Sequence, residues 1–199
     1  MKYKDLLQLA KQYRLVLGSG SPRRARLLEE LGIKFRKIVP EIDESVRDGE
    51  HPISYALRLA EEKAESITRG LKDDEIVMSG DTIVVLDDAI LGKPSTEDEA
   101  FETLSRLAGH THYVCTALAL ADRDGLACSG TEQTEVNFNE VTPEQIREYI
   151  ATGEPMDKAG AYGIQGMGAF LVDSIEGNLD NVIGLPRTLL NRLAGGILH

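Results

Sequence analysis

Residues 14–31 read RLVLGSGSPRRARLLEEL and contain a strand, a turn and a helix in direct succession. The apolar run at 15–17 predicts a buried strand over 14–18, because a short apolar run bounded by glycine is typical of strands. Apolar residues after the turn recur at helical spacing and predict a helix over 22–31. The stretch therefore predicts the first strand–helix step of an α/β fold.

The turn between these two elements has the residues of an anion-binding site. Ser21 is suited to cap the helix and Pro22 to occupy its first turn, where a missing N–H is not needed. The free N–H groups at a helix start attract anions, and Arg23 and Arg24 add planar cations that match phosphate oxygens. No Gly-Lys-Ser/Thr follows, so the turn predicts a phosphate-binding corner other than a Walker loop.

Strand-like and helical segments alternate along the rest of the chain. Further helices are predicted over 52–69, 97–108, 142–153 and 186–194, and further strands over 35–39, 75–79, 82–86, 89–91, 112–121, 127–138 and 169–175. Residues 1–13 show apolar side chains at helical spacing and predict an N-terminal helical extension. No repeat or linker interrupts the pattern, which predicts one α/β domain over 1–199 with a mixed sheet.

The composition restricts the classes of partner. The chain has 33 acidic and 22 basic residues, a net charge of −11, and such a surface repels nucleic acid. An anionic substrate then needs a local cationic pocket or a divalent metal. No apolar stretch has the length of a membrane span or a signal peptide, and Cys115 and Cys128 are interpreted as reduced thiols. We therefore expect a cytoplasmic protein with no nucleic-acid or membrane partner.

Two charged residues lie where the pattern predicts burial. Lys63 belongs to the apolar stripe of the helix over 52–69, and a buried lysine needs an anionic partner. Considered alone, such a lysine more often extends its ammonium group to solvent from the edge of the stripe. Asp81 lies between two apolar runs, where a carboxylate is costly unless it is paired, hydrogen-bonded or metal-bound. Its simpler interpretation is a capping or turn aspartate.

An acidic cluster follows the second predicted strand. Glu41, Asp43 and Glu44 are, by themselves, typical of a solvated loop. Together with Asp81 they could supply the oxygen ligands that hard divalent cations such as Mg²⁺ prefer. The cluster is therefore a candidate for part of a metal site.

The segment 157–166, DKAGAYGIQG, combines small residues, two apolar side chains and the amide of Gln165. Small residues allow a ligand to approach the backbone, and an amide can both donate to and accept from the edge of a base. A binding role is favoured over a plain surface loop. Lys93, in the block LGKP at 91–94, is by itself typical of a solvated turn.

Six short blocks carry the residues described so far. They are SGSPRR at 19–24, DE at 43–44, AEEKA at 60–64, GDT at 80–82, LGKP at 91–94 and KAGAYGIQG at 158–166. In this order they resemble the Maf family of nucleoside triphosphate pyrophosphatases, also known as septum-formation inhibitors, over roughly residues 14–195. The resemblance implies an elongated mixed β-sheet flanked by helices with a central cleft, similar to inosine triphosphate pyrophosphatases, and a homodimer.

The resemblance also implies a reaction and a set of site residues. The bond between the α and β phosphates of a nucleoside triphosphate is hydrolysed with a divalent metal cation, Mg²⁺ or Mn²⁺, and Asp81 is the implied base for the attacking water. The implied phosphate contacts are Ser19, Ser21, Arg24, Lys63 and Lys93. The implied metal ligands are Asp81 and Glu44, whereas Glu41 as a ligand and Lys158 as a site residue are left open.

The resemblance further bears on the base. Arg23, Thr82 and Gln165 match the subgroup that acts on dTTP and UTP, whereas the 7-methyl-GTP subgroup has an aromatic residue, a glutamine and a glutamate there. A glutamine suits the uracil or thymine edge, while a carboxylate suits a cationic methylated guanine. We expect a dTTP/UTP pyrophosphatase, with modified pyrimidine nucleotides left open as further substrates.

Three alternatives stay open at this point. One is a Maf enzyme with a different base preference. Another is a nucleotide-binding regulator of septum formation with weak catalysis, against which the set Asp81, Glu44, Lys63 and Lys93 argues, because a pure sensor need not keep a base. The last is an α/β domain whose charged residues all serve the surface, and the ordered blocks argue against it.

Overall fold

The structure, a computed structural model, describes residues 2–198 and contains seven α-helices and seven β-strands within them. The helices are α1 Lys4–Gln12, α2 Pro22–Glu29, α3 Pro52–Thr68, α4 Glu97–Leu107, α5 Pro143–Ile150, α6 Leu179–Ile183 and α7 Arg187–Leu198. The strands are β1 Arg14–Gly18, β2 Phe35–Ile38, β3 Glu75–Leu86, β4 Ala89–Leu91, β5 Thr111–Asp122, β6 Gly125–Phe138 and β7 Val172–Glu176. None of these helices is long and apolar enough to cross a membrane.

The strands form one mixed sheet in the order β2–β1–β3–β5–β6–β7, and β4 pairs with β3 beside this path. β1 runs parallel to both β2 and β3, whereas β3–β4 and β6–β7 are antiparallel. The register of β1 against β3 places Gly18 opposite Ser79, so the turn after β1 lies beside the middle of β3. The mixed α/β class expected from the sequence is confirmed.

Local sequence signals define the starts of two helices. The Ser21 hydroxyl accepts a hydrogen bond from Arg24 N at 3.3 Å and caps α2, with Pro22 in the first turn. Thr142 and Gln145 form a reciprocal capping box at the start of α5. The cap at Ser21 confirms the sequence prediction, and the capping box begins the helix predicted from 142; both depend only on residues three positions apart.

Two predictions differ from the observed elements near the C-terminal end of the chain. The strand predicted over 169–175 begins only at Val172, because Met167–Leu171 form a 3₁₀ turn. Gly166 precedes that turn with a φ of 89°, a conformation that glycine adopts without strain. The helix α6 is absent from the predictions, because its five residues are too few for a helical period to show.

The chain divides into two compact units. The first comprises the chain up to Asp81, Thr116–Glu132 and the residues from Gly184 onward. The second comprises Thr82–Cys115 and Gln133–Ile183. The strands β3, β5 and β6 contribute residues to both units.

In the first unit, the predicted N-terminal helix is present as α1 and packs against α7 and β1. The side-chain oxygen of Asn191, on α7, accepts from the backbone N–H groups of Asp5 and Leu6 at 3.0 and 3.1 Å. These are donors in the first turn of α1, which has no side-chain cap of its own. The last helix therefore satisfies the start of the first.

In the second unit, the core contains a buried histidine. His112 is 0% exposed, and its ring lies edge-on to Phe138 and Tyr162. Its Nε2 lies 2.8 Å from the Tyr162 hydroxyl, while Nδ1 has no hydrogen-bond partner within residues 2–198. Burial lowers the pKa of His112 from 6.5 to about 4, because a charged ring is poorly accommodated among apolar neighbours.

This histidine makes the stability of the fold depend on pH. The unfolded chain binds a proton at His112 below pH 6.5, whereas the folded chain does so only near pH 4. The unfolding free energy should therefore fall as the pH is lowered through this window, by up to about 3 kcal/mol from this group. Urea unfolding at about pH 7 and about pH 5 measures the change.

The control is His112→Gln, which does not titrate and retains a polar group for Tyr162. Its unfolding free energy should depend less on pH than that of the unaltered chain, although both share the titration of the carboxylates. An equal pH dependence in the two proteins would contradict the assignment to His112.

Candidate active site

The turn after β1 forms a corner that is organised by a serine hydroxyl. Ser19 is 5% exposed, and its Oγ accepts from Ser21 N at 3.2 Å and from Arg24 Nη1 at 3.0 Å. Ser21 itself caps the helix that follows. The corner thus joins a helix N-terminus to a guanidinium, and both kinds of group bind phosphate oxygens.

Arg24 is held at two points of its guanidinium group. Nε donates to the carbonyl oxygen of Gly184 at 2.9 Å, and Nη1 donates to Ser19. Burial lowers the pKa of Arg24 from its ordinary value, and the negative charge of Asp81 acts in the opposite direction. Because an arginine keeps its charge in proteins, Arg24 places a fixed positive charge near Asp81.

Lys63 is buried and lies between two carboxylates. It belongs to α3 and is 8% exposed, and its Nζ lies 2.7 Å from Asp81 Oδ1 and 2.8 Å from Glu44 Oε1. The anionic partner expected for a buried lysine is therefore confirmed, and the interpretation of a lysine that reaches solvent is wrong. Asp81 lies within the continuous strand β3, so its interpretation as a capping or turn residue is also wrong.

The acidic loop that carries Glu44 is tied to α3. The Tyr55 hydroxyl donates to the Glu44 carbonyl oxygen at 2.8 Å, and Arg58 Nη2 donates to the Ser45 carbonyl oxygen at 3.0 Å. Neither Tyr55 nor Arg58 stands out in the sequence as a site residue. Tyr55 precedes Lys63 by about two helical turns, so the period of α3 was the signal that could have placed it on the same side.

Fewer carboxylates lie together at this site than the acidic cluster and Asp81 could have supplied. Glu44 and Asp81 converge on one ammonium group, and Glu41 is exposed. Within residues 2–198, no three His, Cys, Asp or Glu side chains are grouped so as to hold a metal ion. A cation at Glu44 and Asp81 would therefore take further ligands from water or substrate.

In the second unit, the turn that carries Lys93 contacts the glycine-rich segment. Lys93 is exposed, and the carbonyl oxygen of the preceding Gly92 accepts from Gly160 N at 3.0 Å. Lys158 Nζ donates to the Glu154 carbonyl oxygen at 2.6 Å and is paired with Asp157 at 2.7 Å. Lys158 therefore holds its own segment together.

The three residues that bear on base preference lie on different elements. Arg23 is half-buried on α2, Thr82 is half-buried and follows Asp81 on β3, and Gln165 is exposed in the glycine-rich segment. Their roles stay predictions at this point, as do those of the phosphate contacts and metal ligands.

Comparisons with known proteins identify relatives of this chain. A family model described as Maf-like protein matches residues 14–196. A dTTP/UTP pyrophosphatase from Desulfitobacterium hafniense (strain Y51) is 49% identical over 177 residues, which is 86% of this chain and 80% of that protein. One from Syntrophomonas wolfei is 47% identical over 171 residues, which is 85% of this chain and 90% of that protein.

Among solved structures, a HAM1 protein from Coxiella burnetii aligns with a TM-score of 0.47 at 18% identity. The alignment covers 94% of this chain and 98% of that chain. A structural similarity with so low a TM-score and identity carries no argument about function.

The pairing of Lys63 with two carboxylates should be measurable as stability. Replacing Lys63 with methionine leaves Asp81 and Glu44 without their shared cation, and we expect a loss of about 1–3 kcal/mol in unfolding free energy. The expected loss is modest because the Glu44 side chain is 56% exposed, so solvent screens part of its charge. Urea unfolding compares Lys63→Met with Lys34→Met, a matched change at an exposed position. Equal losses in the two variants would contradict this account.

Proposed function

The chain belongs to the Maf family, and on that premise we propose that it hydrolyses dTTP and UTP to the monophosphate and pyrophosphate. The observation that carries the proposal is Asp81, a carboxylate in the middle of a strand with Lys63 at 2.7 Å. A Cβ placed on the adjacent Gly80 would lie 3.5 Å from Arg24 Nε, so the phosphate-binding corner adjoins this carboxylate. The curated relatives named above support the same reaction.

Asp81 is proposed as the base that takes a proton from the attacking water. Phosphoryl chemistry depends mainly on positioning and charge neutralisation, to which a general base adds roughly 10²–10⁴-fold. Arg24 and Lys63 supply positive charge to the phosphate oxygens, and the N–H groups at the start of α2 supply donors. Ser19 orients Arg24 and Ser21 caps α2, so both serines shape the corner. Lys93 is proposed as a further phosphate contact.

A divalent cation, Mg²⁺ or Mn²⁺, is part of the proposal. The residues fit such an ion, because carboxylate oxygens of Glu44 and Asp81 already converge on the single cationic group of Lys63. When bound, the ion neutralises phosphate charge and polarises the bond that is cleaved. Glu44 and Asp81 would hold it.

Base preference is proposed to depend on Arg23, Thr82 and Gln165. The Gln165 amide can donate to a carbonyl of uracil or thymine and accept from its ring N–H. The curated relatives at 47–49% identity are dTTP/UTP pyrophosphatases, which supports the pyrimidine assignment.

A cytoplasmic location and a homodimer also belong to the proposal. The location is supported by Cys115 and Cys128, neither of which forms a disulfide within residues 2–198. The homodimer is supported by the family resemblance, and light scattering on the purified protein tests it. A mass of one chain, 21.8 kDa, would contradict the dimer.

Replacing Asp81 with asparagine should remove the base and leave the fold intact. We expect kcat for UTP and dTTP to fall by roughly 10²–10⁴-fold. The measurement is pyrophosphate release from a panel of UTP, dTTP, CTP and 7-methyl-GTP. Asp88→Asn is the matched control, because Asp88 is an exposed aspartate in the turn after the same strand.

Unchanged turnover in Asp81→Asn would contradict the role of this carboxylate. Strong turnover of 7-methyl-GTP by the unaltered enzyme would contradict the pyrimidine preference. No turnover of any nucleotide, together with tight nucleotide binding, would favour the regulator over the enzyme.

Removal of the metal should abolish turnover. We expect excess chelator to stop pyrophosphate release and added Mg²⁺ or Mn²⁺ to restore it.

Glu44→Gln should raise the metal concentration for half-maximal activity by about 10-fold or more, because an amide is a weaker ligand than a carboxylate. Glu41→Gln, a matched change at an exposed glutamate of the same loop, should have a smaller effect. Full activity in chelator would contradict the metal, and equal effects of the two variants would contradict the assignment to Glu44.

A further inference from the structure

A half-buried hydrogen-bond network beside the glycine-rich segment is not explained by the reaction itself. Glu154 begins the 3₁₀ turn Glu154–Asp157, directly after α5. Its Oε1 accepts from Gly168 N at 3.2 Å and from the Tyr149 hydroxyl at 2.9 Å, and its Oε2 accepts from Met167 N at 3.0 Å. One carboxylate therefore holds the two successive backbone donors that directly follow the glycine-rich segment.

Tyr149 forms a hydrogen bond with a residue inside the glycine-rich segment. It is 3% exposed. Its hydroxyl oxygen accepts a hydrogen bond from Gly163 N at 3.1 Å, and the same hydroxyl donates a hydrogen bond to Glu154. Burial raises the pKa of Tyr149, so its hydroxyl stays protonated and can donate a hydrogen bond to Glu154. For Glu154, burial acts to raise the pKa, but the hydrogen bonds from Met167, Tyr149 and Gly168 outweigh it, and the net pKa is lowered.

The backbone approaches these two side chains so closely that only glycine fits. A Cβ on Gly168 would lie 2.5 Å from the Tyr149 hydroxyl oxygen, and one on Gly166 would lie 2.9 Å from Glu154 Oε2. The φ of Gly166 is 89°, which other residues rarely adopt. Gly166 and Gly168 are thus required by the close contacts of their backbone with Glu154 and Tyr149.

Gln165 lies between the two attachment points and is exposed. We propose that Glu154 and Tyr149 are positioning residues for base selection, and that they act by holding residues 163–168 in the conformation from which the Gln165 amide meets a pyrimidine. This inference rests on the proposed function. Its physical basis is that a loop ordered before binding loses less entropy when the ligand arrives, and that an amide distinguishes bases only when its donor and acceptor are fixed.

The test is Glu154→Gln, which keeps the size of the side chain but turns one acceptor into a donor that faces a backbone N–H. We expect KM for UTP to rise by roughly 10-fold with kcat within about twofold, because the base is remote from the reacting phosphate. The ratio of kcat/KM for UTP over CTP should fall by roughly 5–10-fold. Glu102→Gln, a matched change at an exposed position of α4, should alter neither quantity.

A second readout does not depend on substrate. Hydrogen exchange of the Met167 and Gly168 amides, followed by NMR, should be faster in Glu154→Gln than in the unaltered protein. Tyr149→Phe, which keeps the ring, should speed exchange of Gly163 and lower the UTP/CTP ratio in the same direction. If Glu154→Gln does not fold, the Tyr149→Phe variant replaces it as the test.

The outcomes separate this inference from the proposed function. Faster exchange with an unchanged UTP/CTP ratio would overturn the positioning role, because the network would then be structural only. Unchanged exchange would overturn it as well. If the unaltered protein hydrolyses neither UTP nor CTP, the proposed function fails, whereas the exchange result still reports whether Glu154 and Tyr149 hold the segment.

Discussion

The interaction on which the site depends is the contact of the Lys63 ammonium group with Asp81 and Glu44. A lysine inside a helix stripe and a carboxylate inside a strand are each costly to bury alone. Together they neutralise one another at 2.7 Å, and the exposed Glu44 completes the arrangement at 2.8 Å. The chain can therefore keep the Asp81 carboxylate in the middle of β3, beside the guanidinium of Arg24, without losing the strand.

Those parts of the site that follow local rules could be predicted from the sequence. The cap at Ser21 and the capping box at Thr142 depend on residues three positions apart. The period of α3 places Lys63 in the apolar stripe, although a lysine considered alone more often reaches solvent. The two partners of Lys63 could not be derived from residue spacing, because one comes from a loop and the other from a strand. The family resemblance indicated the same residues but not their contacts.

The glycine-rich segment shows a different limit of the sequence. Its composition indicated a binding loop, and Gln165 was singled out as the side chain that faces a base. The two residues that hold the segment, Tyr149 and Glu154, lie on a preceding helix and turn. A buried tyrosine at helical spacing predicts only core packing, and a glutamate after a helix predicts only a solvated end. The hydrogen bonds that link them to backbone N–H groups become visible only in three dimensions.

The attachment of α1 to Asn191 and of Arg24 to Gly184 has a consequence for the order of folding. The bonded residues are 186 and 160 positions apart in the sequence. A ribosome releases the N-terminal part first, and contacts of such long separation form late. The Arg24 guanidinium therefore lacks one of its acceptors until residue 184 has been synthesised. The local contacts of Arg24 with Ser19 and Ser21 do not depend on that part of the chain, so the corner is completed in two stages.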